Sequence, residues 1–412
     1  MSLTVSAVLA LPGLESLRLR AGAGGVDNPV RWTYVAENEG IADWVMGGEL
    51  VFVTGINHPR DEANLLRLIR EAQERVAAGV VILTGEEFIH AIPESVVSEA
   101  ERLGVPLLEQ PYQLKMVVVS QSIGTALVQE QMLGRSREHV LQQVLEGDYQ
   151  SLEGLLRRAE SLQMPLAAPR QVALLKLQDS ERLFTQAPPH DAERRLQASR
   201  QLLQRRLEQI LIELGEPLPL VCQGEHWIAL LPARSAHTSS NREVLAAALD
   251  ELNSTLAPLR LYAGVSANGH GPAQLASGLG EARQALLVAQ SFPERLGLCC
   301  FSDLGVLELL GAIRDRSLLD RFVDKVLGAL IGDDSRHEPV LMPTLEAWFY
   351  ENGNLALAAQ RLAVHRNTLS YRMQRIEALT GCSFNDPHDR LNVAVALMIR
   401  RLSSPQPNRN TP

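Results

Sequence analysis

The 412 residues of the chain suffice for two or three domains, each large enough to bury a core of its own. Hydrophobic residues make up 46% and charged residues 21% of the chain, which is the balance of a soluble globular protein. The formal net charge of −9 excludes a protein that coats nucleic acid with a uniformly basic surface. No segment approaches the roughly 18 uninterrupted apolar residues of a membrane span.

The cysteines show no metal-binding or redox spacing. Cys222, Cys299, Cys300 and Cys382 contain no C-x-x-C pair, so we expect buried free thiols in a reducing cytosol. The N-terminus lacks the basic region of a signal peptide, which also predicts a cytoplasmic protein. No Walker A, His-Glu-x-x-His or Gly-x-Ser-x-Gly string occurs. We therefore predict no catalytic residue, no metal site and no cofactor.

The N-terminal block alternates apolar runs with helical stretches. Glu49–Gly55 and Gly79–Gly85 are bounded like buried strands, and Asp61–Ala78 between them has a helical pattern. A second helix, Pro93–Leu103, and a further strand from Val105 continue the series. This βαβ pattern predicts an α/β domain with a parallel sheet.

An effector site is expected in residues 1–113, because open α/β sheets bind ligands at strand ends. Its candidate contacts lie near predicted strand ends and are Trp32, Glu49, Thr54 and Thr84. A structural role is the alternative for each of them. Trp32, Trp44 and Trp348 are predicted to be core aromatics, although Trp32 and Trp44 could instead wall an effector pocket.

Residues 114–146 are predicted to form a long helix, in a connecting or dimerisation segment that extends to residue 150. It carries one apolar stripe from Met116 to Leu127 and a later one from Val140 to Leu145. Gly134 is expected to interrupt the helix and Gly147 to end it. Each stripe could form a dimer seam or dock on a neighbouring domain, and the pattern does not separate the two.

Residues 165–302 have the order βαββαβ, which predicts a ferredoxin-like sheet with helices on one face. The predicted strands are Val172–Leu177, Leu218–Cys222, Trp227–Leu231, Arg260–Ser266 and a strand near Cys299. The predicted helices are Ala192–Leu214, Arg242–Leu256 and Pro272–Gln290.

Two short helices joined by a tight turn are predicted near the C-terminus. Asn354 is a suitable N-cap for the first helix, and the small Ala358 and Ala359 allow the second to approach closely. In the second helix one apolar stripe is formed by Leu369, Met373 and Ile376. This is the pattern of a DNA-reading helix-turn-helix.

The face opposite that stripe is polar, with basic flanks and no acid from Arg361 to Ile376. Its outward side chains, suited to base edges, are Asn367, Ser370, Tyr371 and Gln374. The side chains at its shoulders and flank, where guanidinium groups suit phosphates, are Arg366, Thr368, Arg372 and Arg375. His365 is expected to be a turn or cap residue near a phosphate. The alternative is an ordinary amphipathic helical hairpin with a solvated charged face.

The C-terminal strings form one pattern, made of Thr344-Leu345, Asn352-Gly353-Asn354, His365-Arg366-Asn367-Thr368-Leu369-x-Tyr371-Arg372, Gly381, Asp386-Pro387 and Asp389-Arg390-Leu391. Through them, residues 343–402 resemble the DNA-binding domain of PucR-family transcriptional regulators. The N-terminal strings Pro29-Val30-Arg31-Trp32, Asp43-Trp44, Gly47-Gly48-Glu49-Leu50 and Gly104-Val105-Pro106-Leu107 likewise resemble the family's sensory domain. The resemblance implies that the N-terminal block senses an effector.

Gly264-Val265-Ser266 and Glu281-Ala282 make the middle block similar to the degenerate cyclase-like domain of these regulators. True diguanylate cyclases carry Gly-Gly-Asp/Glu-Glu-Phe in the central hairpin, where the acids bind metal. Here the hairpin is Gln223-Gly224-Glu225-His226-Trp227, with a single acid. Two-metal phosphoryl chemistry needs more carboxylate than this, so Glu225 and His226 are expected to be surface residues.

These predictions describe a multidomain α/β + α protein. Its segments are a PucR-type α/β sensory domain (1–113), a connecting or dimerisation helix (114–150), a ferredoxin-like, GGDEF-like α+β domain (165–302), a helical linker with an all-α helix-turn-helix domain (303–402) and a disordered tail (403–412). We expect an effector-responsive regulator of purine or ureide, amino-acid or amine, or organic-acid catabolism. It would bind a double-stranded DNA operator as a homodimer or higher homo-oligomer.

Two alternatives belong to other functional classes. The middle domain could make the protein a nucleotide-binding enzyme or a receptor for a cyclic dinucleotide. The C-terminal helices could instead bind protein in a scaffold. Salt dependence distinguishes DNA from protein binding, because phosphate contacts release counterions.

Overall fold

A computed structural model of the chain describes residues 3–56, 58–215, 218–233, 240–267, 269–292, 295–313, 315–337 and 339–403. Two compact units are present, Met1–Arg137 and Glu138–Pro412. The strands are β1 (Arg18–Ala21), β2 (Trp32–Val35), β3 (Glu49–Val53), β4 (Gly79–Thr84), β5 (Leu107–Pro111), β6 (Arg170–Gln178), β7 (Val221–Gln223), β8 (His226–Pro232), β9 (Arg260–Val265) and β10 (Leu298–Cys300).

The helices of the first unit and of the middle part of the chain are α1 (Val5–Leu9), α2 (Glu62–Glu74), α3 (Glu94–Leu103), α4 (Met116–Glu146), α5 (Leu152–Ser161), α6 (Ser180–Gln186), α7 (Pro189–Glu213), α8 (Asn241–Thr255) and α9 (Leu275–Ser291). The C-terminal helices are α10 (Val306–Ala312), α11 (Arg316–Arg336), α12 (Leu341–Tyr350), α13 (Leu355–Arg361), α14 (Arg366–Thr380) and α15 (Pro387–Ser403). Of the predicted disordered tail, Ser403 is helical, and the rest lies outside the described residues.

The sheet of the first unit has the order β1-β5-β4-β3-β2. Strands β2 to β5 are parallel and β1 is antiparallel to β5. The predicted strands and the helix between them are confirmed, and α2 begins after Asp61, whose side chain accepts a hydrogen bond from Asn64 N at 2.8 Å. The third predicted strand begins at Leu107 instead of Val105.

Helices cover both faces of this sheet. Val51 and Val53 pack in a core that includes residues of α2 and α3. Leu50 and Phe52, which point the other way, pack in a second core with α1 and the first part of α4. A parallel strand covered on both faces needs a continuous apolar run, which explains the unbroken hydrophobic sequence of β3.

The tryptophan prediction was wrong for two of the three residues. Trp32 is 68% exposed and Trp44 is 60% exposed, whereas Trp348 is buried. Trp32 begins β2, an edge strand with a neighbour on one side only, and Trp44 lies in the loop that follows β2. Trp348 packs edge-on against Phe349 with ring centroids 5.1 Å apart.

The connecting helix α4 runs without a break through Gly134, contrary to the sequence-based expectation. One helical glycine costs only about 1 kcal/mol, which packing of the flanking turns can offset. The helix ends before Gly147, which adopts a φ of 71°. Val119 and Ile123 are buried in a core of the first unit, and Val140 and Val144 are buried in a core of the second. Both stripes therefore dock within the chain.

The sheet of the second unit has the order β10-β9-β6-β8-β7. The neighbouring strands are antiparallel except β9 and β10. Every predicted strand of the middle block is present, although β7 begins at Val221, three residues later than predicted. Helices α5 and α6 were not predicted.

The expectation that helices cover one face of this sheet was wrong. Ala173 and Leu175 of β6 pack with α7 and α8, whereas Val172 and Leu174 pack with α9 on the other face. Because side chains alternate along a strand, the apolar run of β6 leaves both faces hydrophobic. Both faces must then be covered by helices.

The cysteines are all free, but they differ in burial. Cys299 is buried as predicted, and burial raises the pKa of its thiol to about 11. Cys222 is exposed, contrary to prediction, because it lies on β7 at the edge of the sheet. Cys300 and Cys382 are half-buried. Within the described ranges, no helix is long and apolar enough to span a membrane.

Candidate nucleic-acid interface

Helices α13 and α14 form the predicted helix-turn-helix, and each begins at a side-chain cap. Asn354 Oδ1 accepts hydrogen bonds from Ala356 N at 3.0 Å and Leu357 N at 3.2 Å. His365 Nδ1 accepts one from Asn367 N at 3.2 Å, which confirms that His365 is a cap residue. Between the helices, Ala363 adopts a φ of 52°, which closes the turn within four residues.

The inner face of α14 holds it against the neighbouring helices. Leu369, Met373 and Ile376 are buried, as their spacing predicted. Ala358 and Ala359 of α13 are buried in the same core, so the small side chains lie where the two helices meet. The orientation of α14 is therefore fixed by packing, and its opposite face is directed to solvent.

The outer face of α14 brings together the residues predicted to read bases. Asn367, Gln374 and Tyr371 are exposed, Tyr371 at 65% of its surface. Ser370 is half-buried. The surface offers amide, hydroxyl and phenol groups, which can donate to and accept from base edges.

The basic residues of this region fall into two groups. Arg366 and Thr368 are exposed and Arg372 is half-buried, and neither arginine forms an ion pair with another described residue. Arg375 instead donates to both carboxylate oxygens of Asp333 on α11, at 3.0 and 2.9 Å. Sequence spacing does not reveal this pair, because its partners are 42 residues apart.

Arg361, the first arginine of the basic stretch, is also engaged within the protein. Its Nε donates to Glu351 Oε1 at 2.7 Å, and its guanidinium carbon lies 3.7 Å from the centre of the Tyr350 ring. The hydrogen bond that Arg361 donates to Glu351 raises the pKa of the Arg361 guanidinium. Of the four arginines that made this stretch basic, Arg366 and Arg372 thus remain available to an external anion.

The hairpin between β7 and β8 has no metal-binding geometry. Glu225 is exposed as predicted, and Gly224 O accepts a hydrogen bond from Arg200 Nη2 at 2.9 Å. His226, which was also expected at the surface, is half-buried, and desolvation lowers the pKa of its imidazole. In the described part of the chain, no group of three or more His, Cys, Asp or Glu side chains could hold a metal ion.

The effector candidates of the first unit do not converge on one place. Trp32 pairs with Glu49 at the amino ends of β2 and β3, whereas Thr54 and Thr84 lie at the carboxyl ends of β3 and β4. Glu49 accepts hydrogen bonds from Met46 N at 3.1 Å and Gly47 N at 2.7 Å, so it braces its own loop.

An aromatic pair near Thr84 was missed from the sequence. Thr84 itself is buried and donates to Glu109 Oε1 at 2.9 Å. Phe88 follows β4 and Tyr112 follows β5, with ring centroids 6.4 Å apart and both rings partly exposed. Tyr112 N donates to Thr84 O at 2.8 Å, which holds this pair at the carboxyl edge of the sheet. The available signal was that Tyr112 follows, a few residues later, the strand predicted from Val105.

Three family models match the chain. Residues 7–127 match the purine catabolism regulatory protein-like family, residues 146–288 a GGDEF-like domain, and residues 341–399 the PucR C-terminal helix-turn-helix domain. The chain thus carries the N-terminal and C-terminal domains of the PucR family, over residues 7–127 and 341–399.

Curated relatives share parts of the sequence. The proline-responsive transcriptional activator PutR of Bacillus subtilis is 23% identical over 42% of this chain and 43% of its own. The purine catabolism regulatory protein of the same organism is 33% identical over 21% of this chain and 16% of its own. The carbohydrate diacid regulator of Escherichia coli is 43% identical over 15% of this chain and 16% of its own. The matched stretches thus span less than half of each of these relatives.

A solved structure also matches, that of a regulator of polyketide synthase expression from Bifidobacterium adolescentis. It is 20% identical, with a TM-score of 0.25, over 66% of this chain and 99% of that one.

Proposed function

We propose that the protein is a cytoplasmic, effector-responsive transcription factor that binds a specific double-stranded operator and controls a catabolic pathway. The observation that carries this proposal is the outer face of α14, which is exposed, free of acid and rich in amide and hydroxyl groups. The names of the relatives point to amino-acid, purine or sugar-diacid catabolism, and we assign the pathway to one of these classes.

The residues of α14 divide into two roles. Asn367, Ser370, Tyr371 and Gln374 would contact base edges, because they lie on the outward face. Arg366, Arg372 and Thr368 would contact phosphates from its sides. His365 would lie near a phosphate at the start of the helix. Arg375 would have to leave Asp333 to reach DNA, so we place it outside the contacting set.

The test is a binding measurement on matched and mismatched operators. Asn367→Ala and Tyr371→Ala should each weaken binding to the preferred sequence by about 1–3 kcal/mol and reduce the preference for it. Arg205→Gln, at an exposed position on α7, is the matched control. It should leave the affinity for the operator and the preference for its sequence unchanged. Wild-type preference in the double variant N367A/Y371A would refute the assigned reading face.

We further propose that the protein binds DNA as at least a dimer. A single helix-turn-helix buries little surface, and paired half-sites lie about 34 Å apart on the duplex. Sedimentation should therefore show a dimer or larger oligomer at micromolar concentration. A monomer that protects one half-site would contradict this.

The effector is assigned to the carboxyl edge of the first sheet, where Thr54, Thr84, Phe88 and Tyr112 lie. Parallel sheets place ligands at this edge, and an exposed aromatic pair supplies an apolar wall. Calorimetry on the full chain with proline, allantoin and glucarate tests this assignment. Tyr112→Ala should weaken binding of the ligand found, and Trp32→Ala, at the opposite edge, should not. The reverse result would place the site at the amino edge.

The middle domain is proposed to be ferredoxin-like and related to cyclases without their activity. The strand order β9-β6-β8-β7 supports the first part, and the single acid of the hairpin supports the second. Incubation of the full chain with GTP and Mg²⁺ should give no cyclic dinucleotide. Its formation would favour the enzyme alternative.

A further inference from the structure

A pocket of about 310 Å³ lies beside the β7–β8 hairpin, on the face of the second sheet that α9 covers. Leu174 of β6 and Leu286 of α9 line it and are almost fully buried. The pocket is distinct from the outer face of α14 and from the carboxyl edge of the first sheet. Its volume falls at the lower end of the range of about 300–1,000 Å³ for small-molecule sites.

Two cationic side chains line this pocket, the half-buried Lys176 of β6 and the exposed Arg283 of α9. Along β6, the side chains on the same face before Lys176 are the apolar Val172 and Leu174. Neither cation forms a side-chain hydrogen bond or ion pair with another residue that the structure describes. Their charge is therefore not neutralised within this part of the protein.

The remaining polar groups around the pocket also favour a ligand that carries hydrogen-bond acceptors. Gln290 Nε2 is buried and has no hydrogen-bond partner among the described residues. His226 faces Lys176 across the strand pair, and burial together with Lys176 lowers the pKa of its imidazole. A buried donor without an acceptor is unfavourable, and a ligand oxygen would satisfy it.

Acidic groups lie near the pocket but do not line it, as far as the described residues show. Glu146 accepts a hydrogen bond from Gln223 Nε2 at 2.9 Å, and Glu225 is exposed on the hairpin. The lining thus combines two positive charges and an unpaired amide donor with an apolar floor.

We propose that this pocket binds a small organic anion. Its carboxylate or phosphate group would contact Lys176 and Arg283, a further oxygen would accept from Gln290, and its apolar part would rest on Leu174 and Leu286. This site goes beyond the proposed function, because it is a second ligand site in a domain other than the effector domain. Charge-assisted hydrogen bonds of this kind are among the strongest in proteins.

Calorimetry on the full chain at low salt tests the proposal, with inorganic pyrophosphate and succinate as probes and urea as a neutral control. At least one probe should bind saturably at one site per chain, and urea should not. The stronger probe identifies the ligand group as phosphate or carboxylate.

Charge-removing variants locate the site. Arg283→Gln and Lys176→Gln should each weaken binding about tenfold or more, as expected for loss of a charge-assisted hydrogen bond. Arg205→Gln removes an equal charge from the exposed surface of α7, on the opposite face of the sheet, and should change nothing. Circular dichroism establishes that each variant is folded. Absence of saturable binding by both probes, or an equal loss in Arg205→Gln, would overturn the proposal.

Discussion

The outer face of α14 and the pocket beside α9 both carry hydrogen-bond donors, but on surfaces of different shape. On α14, Asn367 and Tyr371 project from a convex helix surface. In the pocket, Lys176 and Arg283 surround a recess with an apolar floor. A convex array can follow the groove of a polymer, whereas a recess can desolvate a small anion. The shape of the surface therefore distinguishes a site for a nucleic-acid polymer from a site for a small anion. Charge alone does not distinguish them.

The two surfaces also differ in how their cations are used inside the protein. Arg361 and Arg375 are held by Glu351 and Asp333, whereas the two cations of the pocket have no partner among the described residues. Helix α9 connects the regions, because Ala285 and Val288 pack in the core of the C-terminal helices. Internal ion pairs thus show which positive charges remain for a ligand.

The largest expected effect is a difference in the free energy of unfolding between changes on the inner face and on the outer face of α14. Ile376→Ala should lower the free energy of unfolding by about 2–5 kcal/mol, because it leaves a cavity in a fully buried position. Tyr371→Ala should change it by no more than about 0.5 kcal/mol, since the ring is exposed. Urea unfolding measures both values. Comparable destabilisation by the two changes would mean that the outer face is not a free surface.

A smaller effect distinguishes free from paired arginines. Arg372→Ala should reduce the slope of log binding constant against log salt by about 0.9, the value for one phosphate contact. Arg375→Ala should leave the slope near that of the wild type, because Asp333 holds this side chain. Arg205→Gln, on the exposed surface of α7, is the control and should also leave the slope unchanged. An equal decrease for Arg372 and Arg375 would show that Arg375 leaves Asp333 when DNA binds.

The smallest effect compares two asparagines of the helix-turn-helix. Asn354→Ala should lower the free energy of unfolding by about 1 kcal/mol, because its side chain caps α13 with two hydrogen bonds. Asn367→Ala should change stability by less than about 0.5 kcal/mol while it weakens operator binding. Urea unfolding and DNA titration on the same samples measure both quantities. If the N354A protein is as stable as the wild type, the Asn354 cap does not contribute to the stability of α13.

Local sequence signals determined much of the fold and of the reading helix. The continuous apolar run of β3, the caps Asn354 and His365, and the stripe of Leu369, Met373 and Ile376 depend on neighbours within a few residues. Periodicity reports such relations directly, because side-chain spacing decides which face of a strand or helix is buried. The polar outer face of α14 followed from the same periodicity.

Tertiary structure alone decided the features that join distant parts of the chain. The pair of Arg375 with Asp333, the exposure of Trp32 on an edge strand, and the packing of α9 on the second face of its sheet all depend on strand order or on contacts across many residues. The pocket of Lys176 and Arg283 is of the same kind, since its cations are more than one hundred residues apart. Sequence spacing carries no information on such distances, because folding brings these residues together through packing of elements that are each specified locally.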